Sequence, residues 1–171
     1  MKQFFLLVAA DEDKRRLSLP SAYHLAVYRL KNGRWALNPH TRNRKAMQCG
    51  DEVVIYASGK REHGMSFVGR ARISSSPSPI RPTDRRTVDS PTQMTSTCVD
   101  VIALDDVTLF ETPVPIKSVF RRFDWVRKPD SPRWAAGLMG GSMRISKHDF
   151  DIVTRAASSL SPKEPKKPLS K

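Results

Sequence analysis

Two linked stretches decide the fold: Gly33-Arg34-Trp35-Ala36-Leu37 and Cys49-Gly50-Asp51-Glu52-Val53-Val54-Ile55-Tyr56-Ala57-Ser58-Gly59-Lys60. The first is a brief extended segment, and the second carries an apolar strand, Glu52–Ala57, introduced by the turn Gly50-Asp51. The link between them is polar and basic. An apolar run of this length, bounded by glycine-containing turns, is typical of a strand buried in a sheet.

Further strands are predicted on both sides of this pair. Residues 2–10 are almost continuously apolar, which is typical of a central strand buried on both faces. Ser66–Ile73 alternates apolar and polar positions, and residues 99–104 return to strand character. The loop that joins Glu52–Ala57 to Ser66–Ile73 has glycines near both ends, so we expect a wide hairpin there.

Three short helices are predicted between and after the strands. Ser21 can cap the first, over residues 21–30, and a second is expected over residues 116–120. The last begins with a capping box, in which Ser146 and Asp149 satisfy each other's backbone amides. The sequence therefore predicts an α+β fold, a twisted five- to six-stranded β-barrel with short helices packed at its ends.

One domain accounts for most of the chain, and we place it at residues 1–157 of the 171. Residues 74–97 are rich in Ser, Pro, Thr and Arg without apolar periodicity, so we expect a flexible surface insert. Residues 158–171 are rich in Pro, Ser and Lys and are expected to be a disordered basic tail. No apolar run reaches the roughly 20 residues of a membrane span, so we expect a cytoplasmic protein without membrane contact.

The charge of the chain indicates a polyanionic partner. Thirty Lys and Arg residues stand against 17 Asp and Glu, giving a formal net charge of +13. Each phosphate that a basic side chain neutralises releases counterions and so favours binding of nucleic acid.

The chain has two cysteines, Cys49 and Cys98. They are too few for a zinc ribbon and are interpreted as packing residues.

Catalytic and metal-binding patterns are not found in the sequence. The four histidines, His24, His40, His63 and His148, lack the spacing of metal ligands. Asp105-Asp106 stands at the end of a predicted strand and is interpreted as a turn. Since no phosphate loop or catalytic triad is present, we expect a binding protein without cofactor or metal, and no enzyme.

Five landmarks in order resemble the EVE domain family. The first is the Gly-x-Trp segment at Trp35 followed by a basic stretch, an apolar strand and Ser58-Gly59-Lys60. Cys49 stands where the family carries proline in the turn. The resemblance covers most of residues 2–155, and its remaining landmarks are Phe67-Val68-Gly69-Arg70-Ala71, Val99-Asp100-Val101, Pro113-Val114-Pro115-Ile116 and Ile145-Ser146-Lys147-His148-Asp149-Phe150.

This resemblance implies a PUA-like barrel, related to ASCH domains and to the YTH domains that read methylated adenine in RNA. It implies a reader that binds a modified base, methylated or hydroxymethylated, in DNA through an aromatic pocket. The tryptophan of Gly-x-Trp is a cage residue in the YTH relatives, so Trp35 inherits that role. Under this reading, Trp35→Ala is expected to abolish selective binding and to leave the fold intact.

The candidate site residues fall into two groups. An aromatic ring stacks on a flipped base, while hydroxyl and backbone groups bind the base edge. Basic side chains hold the flanking phosphates. The base pocket is predicted to contain Trp35, Ala36, Leu37, Tyr56, Ser58, Gly59, Phe67 and Trp125. The phosphate contacts are predicted to be His40, Arg42, Arg44, Lys45, Lys60 and Arg61.

The second wall of the aromatic cage is left open by the sequence. The insert at residues 74–97, where relatives carry aromatics, has no Phe, Tyr or Trp. Tyr56, Phe67, Trp125 and Trp134 are the alternatives. Three other functions also stay open: a reader of a modified base in structured RNA, a nuclease, and a scaffold whose basic tail binds nucleic acid.

Overall fold

A curled mixed sheet dominates the computed structural model, which describes residues 1–11, 20–88 and 97–161. Strands pair in the order β2-β6-β4-β3-β1-β7, with β5 on β6, and form a half-barrel. The pair β1–β3 is parallel and the other pairs are antiparallel. The strands are β1 Phe4–Ala9, β2 Arg34–Leu37, β3 Glu52–Ala57, β4 Ser66–Ile73, β5 Ser78–Pro79, β6 Asp100–Pro115 and β7 Ser142–Ile145.

Three α-helices accompany the sheet within the described residues: α1 Ala22–Lys31, α2 Pro82–Val88 and α3 Lys147–Leu160. Short 3-10 helices fill the connection between β6 and β7, the longest being Trp134–Gly140. The predicted α+β barrel with helices is therefore confirmed. No helix in the described ranges is long and apolar enough to cross a membrane.

Two hydrophobic cores lie on opposite faces of the sheet. Along β3, Val53 and Ile55 belong to the core beneath α1, while Val54 and Tyr56 belong to the core beneath α3. All four are buried, because successive residues of a strand point to opposite faces and both faces are covered here. Residues 53–57 of β3 are thus all apolar because both faces of the strand are covered, as the sequence predicts for a strand buried in a sheet.

The helix caps predicted for α1 and α3 are present in the structure. The side chain of Ser21 accepts a hydrogen bond from the backbone amide of His24 at 3.3 Å. At the start of α3, Ser146 Oγ accepts from the Asp149 amide at 3.1 Å, and the Asp149 carboxylate accepts from the Ser146 amide at 3.1 Å. The capping box is confirmed. Helix α3 continues to Leu160, so the first residues of the predicted tail are helical.

Strand β6 is longer than predicted. The sequence indicated a strand at residues 99–104 that ends in a turn at Asp105-Asp106, whereas β6 runs on to Pro115. Asp106 does adopt a left-handed φ of 46°, and the pairing register with β4 shifts there. The turn signal therefore marks a bend in a continuous strand, and Arg72 holds the bend by salt bridges to both carboxylates.

The insert is partly built into the fold. Residues 78–79 add β5 to the sheet, and α2 packs against α1 and β2. Val88 is fully buried, and its carbonyl accepts a hydrogen bond from Arg29 Nε at 2.8 Å. The expected flexible insert is thus structured up to Val88, and residues 89–96 lie outside the described part.

Candidate nucleic-acid interface

The carboxyl ends of the parallel strands β1 and β3 meet at one edge of the half-barrel. Ser58 donates its amide to the carbonyl of Ala9 at 2.8 Å, and Val8 donates to the carbonyl of Gly141 at 2.9 Å. Chain segments from five parts of the sequence converge there. We call this edge the rim, which comprises Asp11, Tyr23 and residues 38–42, 58–64 and 140–142.

The loop after β2 closes the rim against the start of β7. The amide of Arg42 donates to the carbonyl of Gly140 at 3.0 Å, and the hydroxyl of Ser142 donates to the carbonyl of Arg42. The Arg42 side chain lies over Gly140, where an added Cβ would be 2.6 Å from Arg42 Cδ. Arg42 is nevertheless exposed, so its cation faces solvent at the rim.

Asp11 lies at the junction of three rim segments. Its Oδ1 accepts a hydrogen bond from the amide of Ala22 at 2.7 Å, at the start of α1. Its Oδ2 lies against Gly59, where an added Cβ would be only 2.3 Å away. Gly59 has a φ of 98°, so both its backbone conformation and its neighbour require glycine.

An aromatic pair completes the rim, and the sequence did not indicate it. The ring of Tyr23 lies 4.6 Å from the ring of His63, with 53° between the planes. The side chain of His63 is 43% exposed. Tyr23 is half-buried and also packs against the core beneath α1. The hairpin loop brings His63 back onto α1. The contact joins segments that are distant in sequence, so no local sequence pattern predicts it.

Unusual backbone conformations occur in the rim loops and in the residues next to them. Left-handed φ values occur at His63 (55°) and Met65 (53°) in the hairpin loop, and at Asn43 (57°) in the loop after β2. Such conformations cost about 1–3 kcal/mol each for residues other than glycine and cluster at binding sites. Together with Gly59 and Gly141 they give the rim loops a fixed, tightly turned shape.

The residues predicted to contact phosphate differ in their exposure to solvent. The exposed side chains are His40, Arg42, Lys45 and Lys60, and Arg61 is half-buried. Arg44 instead forms a salt bridge to Asp100, with 21% and 19% of the two side chains exposed. Its charge therefore anchors the loop after β2 to β6. Without the fold, Arg44 cannot be distinguished from its basic neighbours.

The predicted base pocket is not a single cluster. Trp35 and Leu37 lie in the core beneath α1, whereas Tyr56 and Phe67 lie in the core beneath α3. The sheet separates them, since alternate residues of its strands face opposite sides. Half-buried Trp125 and Trp134 pack against the core beneath α3, and Ala36 packs with Val88, Cys98 and Val101. Ser58 and Gly59 do lie at the rim.

Trp35 is a core residue in this structure. It is 2% exposed, and the guanidinium of Arg29 lies 5.3 Å from the centre of its ring. A ring so covered offers no free face on which a base can stack. The expectation that Trp35→Ala leaves the fold intact therefore does not agree with its burial.

No cluster of three or more His, Cys, Asp or Glu side chains suited to a metal ion occurs in the described ranges.

Tyr56, which the sequence placed in the pocket, is buried, and this burial raises its pKa to about 12. Its phenol therefore stays neutral to a higher pH than the phenol of an exposed tyrosine.

The sheet order, the curled half-barrel and the flanking helices define a PUA-like α+β domain. The chain belongs to the EVE domain family, which it matches over residues 18–156. No curated protein matches the sequence significantly.

Solved structures share this fold at low identity. A hypothetical protein from Leishmania major matches with a TM-score of 0.61 and 14% identity, over 93% of this chain and 96% of that chain. Human THYN1 in complex with 5-methylcytosine containing DNA matches with a TM-score of 0.54 and 17% identity, over 96% and 100%. The N-terminal domain of Staphylothermus marinus McrB gives 0.53 and 10%, over 91% and 94%.

Proposed function

We propose that this protein binds DNA and reads a modified base at the rim, without chemical turnover. The observation that carries the proposal is the juxtaposition at the rim of an aromatic pair, a carboxylate and exposed cations. Membership of the EVE domain family and the shared fold of THYN1, solved with 5-methylcytosine containing DNA, support it. The site differs from the pocket around Trp35 that the sequence indicated.

A flipped base has two faces and one polar edge that a reader must bind. The Tyr23–His63 pair offers a ring surface, and stacking of a base on an aromatic ring contributes about 1–3 kcal/mol. The carboxylate of Asp11 is suited to accept a hydrogen bond from an exocyclic amino group, as acidic side chains do with the N4 amine of cytosine. The hydroxyl of Ser58, next to Gly59, supplies a second polar contact.

Phosphates on either side of the flipped base would meet basic side chains. Arg42 and Lys60 project from two different rim loops and are exposed. His40 extends the same surface from the loop after β2. Contacts of this kind set the position and affinity of the duplex, while the base contacts set the preference. Substitution of a basic residue at the rim is therefore expected to lower the affinity for all duplexes. Substitution of a residue that contacts the base edge is expected to lower the preference for the modified base.

Binding to duplexes that differ at one base tests the proposal. Fluorescence anisotropy would compare unmodified cytosine, 5-methylcytosine, 5-hydroxymethylcytosine and N6-methyladenine at one position of a fixed sequence. We expect one modified duplex to bind more tightly, and His63→Ala to weaken the binding of that duplex by about tenfold, as loss of one stacking contact does. His148→Ala, an exposed histidine on α3, is the matched control.

Equal affinity for all four duplexes would contradict base reading, and an unchanged affinity of His63→Ala for the preferred duplex would contradict the rim as its site. The same bases placed in RNA distinguish an RNA reader, which would prefer the RNA strand. Intact oligonucleotides after incubation with Mg²⁺ would agree with a binding protein, whereas cleavage would indicate a nuclease.

A further inference from the structure

A second surface combines aromatic rings with unpaired cations, outside the rim. It lies in the connection between β6 and β7, where the chain forms short 3-10 helices at Ile116–Ser118 and Phe120–Arg122. We call it the aromatic–basic surface. Its members are the half-buried rings Phe120, Trp125 and Trp134 and the exposed cations Lys117, Arg121, Arg122, Arg127, Lys128 and Arg133.

The three rings form a continuous series. Phe120 and Trp134 lie 4.5 Å apart between ring centres, and Trp134 and Trp125 lie 6.3 Å apart. Trp125 in turn stacks on the buried ring of Phe123 at 5.5 Å, with 17° between the planes. The series is thus anchored in the core beneath α3 at one end, which holds the outer rings in place.

The charge of the same segment is strongly positive. Of the two carboxylates between Lys117 and Trp134, Asp130 forms a salt bridge with Arg121 at 2.8 Å. The other, Asp124, accepts a hydrogen bond from Ser146 Oγ at 2.6 Å. Five cations have no acidic partner among the residues that the structure describes: Lys117, Arg122, Arg127, Lys128 and Arg133.

A buried donor in this surface also lacks a partner. The indole Nε1 of Trp125 is inaccessible and makes no hydrogen bond within the described ranges. A buried donor without an acceptor carries a free-energy cost, because it loses its hydrogen bond to water on folding and gains none in exchange. An acceptor oxygen brought in by a ligand, with a small shift of the ring, would remove that cost.

The aromatic–basic surface is joined to the rim by one rigid element. The 3-10 helix Trp134–Gly140 begins at the middle ring of the series and ends at Gly140, which lies beneath Arg42. With a rise of about 2.0 Å per residue, its two ends lie roughly 12 Å apart. A nucleic-acid strand that leaves the rim can therefore reach the second surface within a few nucleotides.

We propose that the aromatic–basic surface binds a single-stranded stretch of the same nucleic acid, next to the duplex whose flipped base is held at the rim. Because that stretch must belong to a nucleic-acid ligand, this inference rests on the proposed function. Sequence-tolerant binding of single strands depends on aromatic rings for stacking and on cations along the backbone, and this surface supplies both. A surface that only closed the core would need neither the half-exposed rings nor the unpaired cations.

Tryptophan fluorescence gives a direct test, since the chain has only three tryptophans and Trp35 is buried. A short deoxythymidine oligomer should quench the emission of the wild-type protein. The double variant Trp125→Phe/Trp134→Phe, which keeps aromatic rings, should still bind the oligomer and lose the quenching. Persistent quenching in that variant would overturn the proposal, as would failure of the wild type to bind the oligomer.

Charge variants test the same surface without touching the rings. In Arg127→Gln/Lys128→Gln, the slope of log affinity against log salt for the oligomer should fall by about 0.7 per removed cation. The control Lys31→Gln/Arg86→Gln removes two exposed cations from α1 and α2 and should leave the slope unchanged. Equal slopes in the two double variants would contradict the assignment.

The two proposals fail in different ways. If only the second surface is wrong, preference among modified duplexes persists and the oligomer causes no quenching. If only base reading is wrong, all duplexes bind equally and the quenching persists. Circular dichroism melting of each variant confirms that folded proteins are being compared.

Discussion

The carboxylate of Asp11 lies directly against the α-carbon of Gly59, so close that an added Cβ would be 2.3 Å from Oδ2. The same carboxylate accepts the Ala22 amide at the start of α1 through Oδ1. One side chain therefore sets the positions of the hairpin loop and of the first helix. These two elements carry His63 and Tyr23, so Asp11 also positions the aromatic pair of the rim.

Gly59→Ala tests that arrangement, with Gly50→Ala as its control. Both glycines have left-handed φ values, 98° and 93°, but nothing lies within 4 Å of a Cβ added to Gly50. Gly50→Ala should thus lower the free energy of unfolding by the backbone strain alone, about 1–3 kcal/mol. Gly59→Ala should lower it further and weaken DNA binding, as measured by urea denaturation and anisotropy. Equal destabilisation with unchanged binding would contradict the role of Asp11.

Trp35→Ala should destabilise the fold. Because the ring is buried against the core and beneath Arg29, its removal should lower the free energy of unfolding by about 3–5 kcal/mol. Trp35→Phe retains an aromatic ring and should cost less. Urea denaturation measures both. A Trp35→Ala protein as stable as the wild type, with binding alone lost, would restore Trp35 to the base pocket.

Arg42 and Arg44 should respond differently to the same substitution. Arg42→Gln should reduce the salt dependence of duplex binding by about 0.9 in the log–log slope and leave stability unchanged, because Arg42 is an exposed rim cation. Arg44→Gln should lower stability by about 1 kcal/mol, because Asp100 loses its partner. Its salt slope should match that of the wild type, and the reverse pattern would contradict both assignments.

The phenol of Tyr56 should make the protein less stable in alkali. Burial raises its pKa to about 12 in the folded state, whereas an unfolded tyrosine titrates near about 10. Between these values the unfolded state binds fewer protons, so the free energy of unfolding falls as pH rises. Tyr56→Phe should show a weaker decline over this range in urea denaturation. An identical decline in both proteins would contradict a buried neutral phenol.

Much of the fold was predictable because it depends on local patterns. Strands β3 and β4 lie where the apolar pattern predicted them, and α3 begins at its capping box. Strand β7 was missed, since its four residues include Arg144 and follow two glycines, which indicate only a turn. The extension of β6 was missed because two aspartates and two prolines interrupt its pattern, although prolines are tolerated at the edge of a sheet.

The site was less predictable than the fold, because it depends on contacts between distant segments. The sequence predicted Arg42 and Lys60 as phosphate contacts, and both are exposed, but it grouped Trp35 with Tyr56 in one pocket. Residue type alone does not say which face of a sheet a ring occupies. The Tyr23–His63 contact joins residues 40 positions apart, and only the folded hairpin loop creates it.

Because β3 contributes side chains to two cores, its length is restricted. If the strand slipped by one residue, the ring of Tyr56 would enter the core beneath α1, and Ile55 would enter the core beneath α3. Both cores would be mispacked at once, so a single-residue insertion or deletion in β3 is expected to destabilise the fold. Length changes are expected to be accepted in the connections instead, which include the hairpin loop and the segment between β6 and β7. The rigid sheet therefore leaves diversification to the segments that we propose contact nucleic acid.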